Sequence, residues 1–142
     1  METSVVRQRV LGTLDRVKRD AKERRSRVDE AARDFEAFLE KIAIPLCRQL
    51  AQILKAEHVA FIVNTPSGAV RFASERSGDD YIELSLDTSG ETPYVVGHTR
   101  HMRGSRVVDA IRPVRECPVR ELTEDHLLDF LLREIEALLR PS

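Results

Sequence analysis

Residues 10–42, "VLGTLDRVKRDAKERRSRVDEAARDFEAFLEKI", contain a single glycine and no proline. Their apolar residues recur at spacings of three and four, which is the period of an α-helix with one apolar face. After Gly12 the next glycine is Gly68, and Pro45 is the only proline before Pro66. We therefore predict a helix from about Ser4 to Ala56 with a kink at Pro45, because proline lacks a backbone donor and its ring crowds the preceding turn.

The apolar stripe of this helix changes in width along its length. Before residue 28 the stripe is narrow, with two apolar positions in each seven, as in a coiled coil. From Val28 to Leu54 it is broad, which is typical of a helix packed on its own domain. A straight helix of about 40 residues is about 60 Å long, more than a domain of this size covers. We predict a projecting, coiled-coil-like arm over residues 1–27 and an α+β domain over residues 28–142.

The narrow stripe of the arm is the first part of a predicted oligomer interface. It consists of Val10, Leu14, Val17, Ala21, Arg24 and Val28. We expect the stem of Arg24 to lie along the seam while its guanidinium reaches Asp20 or solvent. Acidic residues four positions before basic ones, such as Asp15 before Arg19, add about 0.2–0.5 kcal/mol of helix stability per pair. A solvated single helix without a partner, and an arm folded back on its own sheet, are the alternatives.

From residue 57 onward the helical period gives way to alternation of apolar and polar residues, which is typical of strands with one buried face. Five such segments occur, at residues 58–63, 69–73, 81–87, 94–100 and 106–111. Their connections of about 4–8 residues are too short for the crossovers that parallel strands need, so we predict an antiparallel meander. Ile82, Leu84 and Leu86 share the predicted buried face of the third strand.

A last helix is predicted from Thr123, a good N-cap, to Arg140 and Pro141, which are expected to close it. Its apolar positions cover more than half of the circumference, whereas one sheet face covers a stripe of about 100°. The uncovered part is the second half of the predicted oligomer interface and consists of Leu128, Leu132 and Leu139. The predicted fold is therefore α+β, with a long kinked N-terminal helix, a five-stranded antiparallel β-meander and a C-terminal helix.

Charge is balanced over the whole chain and uneven along it. The formal net charge of −1 provides no overall attraction to nucleic acid or to membranes. The most basic segment is a predicted hairpin over residues 98–106. It offers possible contacts to an anion or an acidic partner, because guanidinium groups bind phosphate and carboxylate in a bidentate manner; they are His98, Arg100, Arg103 and Arg106. An ordinary charged hairpin that pairs with neighbouring acidic residues is the alternative.

The sequence contains no pattern that we assign to catalysis, to a metal or to a cofactor. His98 and His101 lie three positions apart on a strand, so their side chains point to opposite faces and do not share a metal. Cys47 lies among apolar residues and is expected to be buried. Cys117 has arginines nearby that would lower its pKa, but it has no evident base partner. Neither a glycine-rich phosphate loop nor a nucleophile elbow occurs.

Together these features favour a non-enzymatic oligomerising adaptor, assembly factor or small regulatory subunit that acts through protein–protein contacts. We expect a homo-oligomer, a dimer or higher, with a protein partner. Nucleic-acid association through the 98–106 hairpin is the second hypothesis, and a small enzyme with a site between subunits is the third. Apolar runs fall short of the roughly 20 residues of a membrane span. With two cysteines and no secretory signal, we expect a cytoplasmic protein.

Overall fold

The computed structural model describes residues 1–140 and confirms the α+β class. The helices are α1 (Thr3–Phe38), α2 (Ile44–Ala56) and α3 (Glu124–Leu139). The strands are β1 (Phe61–Asn64), β2 (Val70–Ser74), β3 (Tyr81–Asp87), β4 (Tyr94–Arg103) and β5 (Arg106–Pro113). All neighbouring strands pair antiparallel in chain order, as a meander. The closure of the last helix that we predicted at Pro141 lies outside the described residues.

The N-terminal helix bends at a π-helical turn, Leu39–Ala43, that joins α1 to α2. Here the N–H of Ile44 donates to the carbonyl of Leu39, five residues back instead of four. Pro45 follows in the first turn of α2. A proline at this position has no N–H to continue the ladder, and a wider turn before it accommodates the ring. The predicted kink is confirmed.

The core lies between the N-terminal helix, α3 and one face of the sheet, which we call the inner face. Phe35 and Phe38 of α1 and Leu46 of α2 are buried in it. The largest side chains below 2% exposure come from the strands and α3: Phe72, Ile82, Leu84, Leu127 and Leu131. Leu86 is half-buried against the same core. The predicted inner face of β3 is therefore confirmed.

Helix α3 lies directly on β4, at Gly97. A Cβ atom at this position would be 2.4 Å from Cζ of Phe130, so only glycine allows the ring to approach the strand. One turn further along α3, the buried carboxylate of Glu134 accepts a hydrogen bond from Thr99 Oγ1 at 3.2 Å. It also pairs with Arg112 Nη1 of β5 at 2.8 Å. These contacts fix α3 over the β4–β5 side of the sheet.

The start of α3 is set by the predicted N-cap, Thr123. Its hydroxyl accepts a hydrogen bond from the N–H of His126, and the Nδ1 atom of His126 accepts one from the N–H of Thr123. This is a capping box in which histidine takes the place of the usual glutamate or glutamine. Leu122 and Leu127, on either side of the cap, are both buried.

Candidate functional site: two exposed apolar stripes

The arm is exposed along its length. Every residue from Met1 to Arg27 is exposed, except Gly12, which is half-buried. Val28 is half-buried, and the first buried residue is Ala31. The division into an arm and a domain at residue 28 stays a prediction, and the burial of α1 changes close to that residue.

Arg24 contacts the domain and not the predicted Asp20. Its Nη2 atom donates to the carbonyl of Thr88 at 2.8 Å, and its Nη1 atom donates to that of Gly90 at 3.2 Å. Both carbonyls belong to the loop between β3 and β4. Arg24 therefore ties α1 to the domain, and the segment before it, Thr3–Glu23, corresponds to about 30 Å of helix.

The predicted acid–base pairs of the arm do not form salt bridges among the described residues. In the part of the chain that the structure describes, the salt bridges lie in the sheet and α3, and none joins Asp15 to Arg19 or a similar pair of the arm. Arg24 is bound to the loop carbonyls and Arg16 donates to Thr13 Oγ1, whereas the other charged side chains of the arm are exposed to solvent.

An exposed apolar stripe runs along one face of the arm. Val10, Leu14 and Val17 of the predicted interface are 51%, 47% and 59% exposed. Val6 lies one turn earlier on the same face and is 43% exposed, although the sequence analysis did not include it. We call these four residues the arm stripe. The remaining predicted positions do not extend it, since Ala21 is small, Arg24 is bound to the loop and Val28 is half-buried.

The arm stripe has basic borders. Residues 1–19 contain five basic and two acidic residues, a net charge of +3. By helical spacing, Arg7 and Lys18 border one side of the stripe, and Arg9 and Arg16 border the other. The arm stripe is therefore an apolar surface between two rows of positive charge.

The second half of the predicted interface forms a stripe on α3. Leu132 and Leu139 are each 49% exposed, and Leu128 is half-buried at the edge of the core. Spacings of four and seven residues place the three leucines on one face of the helix. We call them the α3 stripe. Of the other large apolar residues of α3, Leu138 is half-buried and the rest are buried, so the α3 stripe holds the most exposed apolar side chains of this helix.

The α3 stripe has an acidic border. Asp125, Asp129 and Glu136 are exposed and lie on its solvent side by helical spacing. The exposed residues from Glu124 to Arg140 include four acidic and two basic ones. One of the basic residues, Arg140, pairs with Glu136. Both stripes are thus apolar, but the residues that border the arm stripe are basic and those that border the α3 stripe are acidic.

The 98–106 hairpin does not bring its predicted anion contacts to one face. In the β4–β5 register Arg100 pairs with Asp109, and Arg103 pairs with Arg106. Because side chains alternate along a strand, Arg100 lies on the outer face of the sheet, and Arg103 and Arg106 lie on the inner side of the hairpin tip. Contact with an anion stays a prediction, and the candidate residues for a shared contact are reduced to Arg103 and Arg106 at the hairpin tip.

His98 is held within a cluster on the outer face. Its Nε2 atom lies 2.8 Å from Oδ1 of Asp109, and its ring meets that of Tyr81 edge to face at 5.6 Å. The guanidinium of Arg71 lies 4.2 Å from the ring centroid of Tyr81 and pairs with Glu83 at 2.9 Å. No local sequence pattern reveals this cluster, since its members come from four strands and only the register brings them together.

The two thiols are poor nucleophiles. Burial raises the pKa of Cys47 to about 12. The pKa of Cys117 is also raised, chiefly by burial and then by the charge of Glu121, and Arg115 opposes this only in part. Arg115 thus lowers the pKa of Cys117, as expected of a nearby arginine, but burial and Glu121 outweigh it and the net shift is upward. Thiolates at both positions are scarce near neutral pH.

An open apolar groove of about 480 Å³ lies between the N-terminal helix and the β1–β2 loop. Phe35 and Leu39 line it from the helix, and Pro66 lines it from the loop. Its charged lining residues are Glu36 and Glu40, both exposed. This groove was not predictable from the sequence, because the loop and the helix come together only in the folded chain.

The residues from Met1 to Arg140 contain no group of three or more His, Cys, Asp or Glu side chains placed to hold a metal ion. The helices of this part of the chain do not combine the length and the apolar character that crossing a bilayer requires.

No protein-family model, curated protein or solved structure matches the chain. Its function is therefore inferred from its own surfaces.

We predict negligible binding of nucleic acid at physiological salt. Affinity for phosphates needs several cations along one path, and here Arg100 is separated by the sheet from Arg103 and Arg106. Fluorescence anisotropy with labelled duplex and single-stranded oligonucleotides measures this. Submicromolar binding that disappears in a variant with all three arginines replaced by alanine would contradict the prediction and support the nucleic-acid hypothesis.

Proposed function

We propose that this protein is a non-enzymatic, homo-oligomerising interaction protein, such as an adaptor, an assembly factor or a small regulatory subunit. In this proposal, coiled-coil-like contacts of the arm join it to a second copy, and the assembly presents surfaces to a protein partner. The observation that supports it most is the arm stripe, four apolar side chains that are each roughly half exposed near the start of α1, where every residue except Gly12 is exposed.

The uncovered apolar face of the arm supports a partner. Most helices in proteins are stabilised by the packing of an apolar face against another element. The segment Thr3–Glu23 is helical with that face uncovered. Apolar surface removed from water contributes about 25 cal/mol per Å², so a second helix against the arm stripe stabilises both chains. Contiguous apolar surface of this kind usually marks an interaction site.

We further propose a cytoplasmic location. Cys47 and Cys117 are free thiols in the structure, and free thiols are typical of reducing compartments. Expression of the chain with a fluorescent tag in its native host tests the location directly.

Replacing two stripe valines should weaken self-association. We expect the Val10→Gln/Val17→Gln variant to dissociate at a concentration at least about tenfold higher than the wild type, equivalent to about 1.4 kcal/mol. Both residues are exposed in the single chain, so the change should leave the fold intact. Sedimentation velocity over a micromolar dilution series measures the shift.

The matched control is Val5→Gln. Val5 is also exposed, but by helical spacing it lies on the opposite side of the arm. We expect this variant to associate like the wild type. Equal association of the stripe variant and the control would contradict a role for the arm stripe.

A further inference from the structure

We infer that the arm of one copy docks on the α3 stripe of a second copy, and not on the second arm. This inference rests on the proposed function and names the surface that covers the arm. Both helices are from the same chain, so two copies can exchange arms about a two-fold axis, each arm lying on the other copy's α3.

The charges on the borders favour this pairing over two arms. The arm stripe lies between basic side chains from Arg7 to Lys18, and the net charge of residues 1–19 is +3. Two arms side by side bring like charges together in either orientation, because both borders are basic. The α3 stripe instead presents Asp125, Asp129 and Glu136 beside its leucines. Opposite charges around an apolar centre set both orientation and partner choice.

The two stripes also match in length. Val6 to Val17 and Leu128 to Leu139 each span eleven residue steps, about 16 Å of helix. In both, the second apolar residue follows the first after four positions. Helices with apolar ridges of equal length pack along their axes with few side chains left unmatched.

The contact of Arg24 works against an extended pairing of two arms. A coiled coil of arms would continue its seam through Ala21 and Arg24, but Arg24 is bound to the carbonyls of Thr88 and Gly90. The arm stripe therefore ends before Arg24. Two paired arms would also leave the leucines of both α3 stripes in water, whereas exchanged arms cover all four stripes.

The length of the arm permits the exchange. The segment ahead of Arg24 corresponds to about 30 Å of helix. A domain of about 100 residues has a radius of gyration near 13 Å. The arm is therefore long enough to extend past the edge of its own domain and to reach a second copy.

Charge reversal on each side separates the two modes of pairing. The first variant, Arg9→Glu/Lys18→Glu, reverses one charge on each border of the arm stripe. The second, Asp129→Lys/Glu136→Lys, reverses the border of the α3 stripe. All four residues are exposed, so circular dichroism is expected to show a wild-type fold for both variants. Self-association is then measured by sedimentation velocity. The ionic strength is kept moderate, because high salt screens the contacts between charged side chains.

We expect each variant alone to associate at least tenfold more weakly than the wild type, and an equimolar mixture of the two to recover the wild-type association. In the mixture, the acidic arm of the first variant meets the basic α3 of the second, and the unchanged arm meets the unchanged α3. Arg19→Glu, on the back of the arm by helical spacing, is the control and should have no effect.

Two results would overturn the inference, and they differ in what they say of the proposed function. If the wild type associates, the arm variant associates as well or better, and the α3 variant is unchanged, the arm pairs with a second arm and the proposed function stands. If the wild type is a monomer at every concentration, both the inference and the proposed function fail.

Discussion

Leu84→Asp is expected to leave the chain unfolded at room temperature. Leu84 is 1% exposed, in the middle of β3, on the face that the helices cover. Its cross-strand partner is Gly97, which has no side chain to pair with a carboxylate. Burying an unpaired charge here is expected to reduce the free energy of unfolding by more than about 4–5 kcal/mol, the upper end of single-residue effects. That loss is comparable to the total stability of many domains, about 5–15 kcal/mol.

Ser85→Asp is the matched control for this change. It places the same charge one position further along β3, on the outer face, where the side chain is half-buried. We expect it to fold with a loss of about 1 kcal/mol or less. Circular dichroism and thermal unfolding measure both variants. A soluble Leu84→Asp protein that unfolds at the wild-type temperature would show that the register of β3 is wrong.

Gly97→Ala and Phe130→Ala are each expected to destabilise the fold, and together by less than the sum. The new methyl group at position 97 would lie 2.4 Å from the ring of Phe130, so the ring has to move, at a cost of about 1–3 kcal/mol. Removing the buried ring is expected to cost about 3–5 kcal/mol through the cavity that it leaves. In the double variant the methyl group meets no ring and fills part of that cavity.

Urea unfolding of the wild type, both single variants and the double variant measures this coupling. We expect the interaction free energy to exceed about 1 kcal/mol, because residues in contact couple more strongly than distant ones. Gly97→Ala combined with Phe61→Ala is the control, since Phe61 is also buried but lies on β1, three strands from β4. Additive effects in the Phe130 pair, within about 0.5 kcal/mol, would contradict the close approach of α3 to β4.

The elements of the fold were predictable wherever they depend on local periodicity. The helix predicted from Ser4 to Ala56 is observed from Thr3 to Ala56, and the third strand has the predicted bounds, 81–87. These segments repeat one period over many residues and have strong breaks at their ends. Their identity therefore requires no knowledge of the partners that they pack against.

The ends of the other strands depend on contacts that alternation does not reveal. The first strand was predicted from residue 58 but begins at Phe61. His58 has a φ of 64°, and the N–H of Val59 donates to the carbonyl of Leu54, so these residues close α2 instead. Strand β4 was predicted to end at residue 100 but continues to Arg103, because the ladder to β5 continues there.

The exposed apolar stripes were predictable in part for the same reason. Both follow from helical spacing, and all of their residues except the half-buried Leu128 are exposed in the structure. The contact between Arg24 and Thr88 joins residues far apart in the sequence, and no local pattern marks it. Likewise, His98 and Asp109 are brought together only by the register of β4 and β5.

The mass of the wild-type chain in solution tests the central claim most directly. Multi-angle light scattering at micromolar concentration, with circular dichroism to confirm the helical content, gives that mass without a label or a partner. If the exposed stripes are interfaces between copies, the particle has at least twice the chain mass of 16.2 kDa. A particle of 16.2 kDa with intact helicity would contradict the claim.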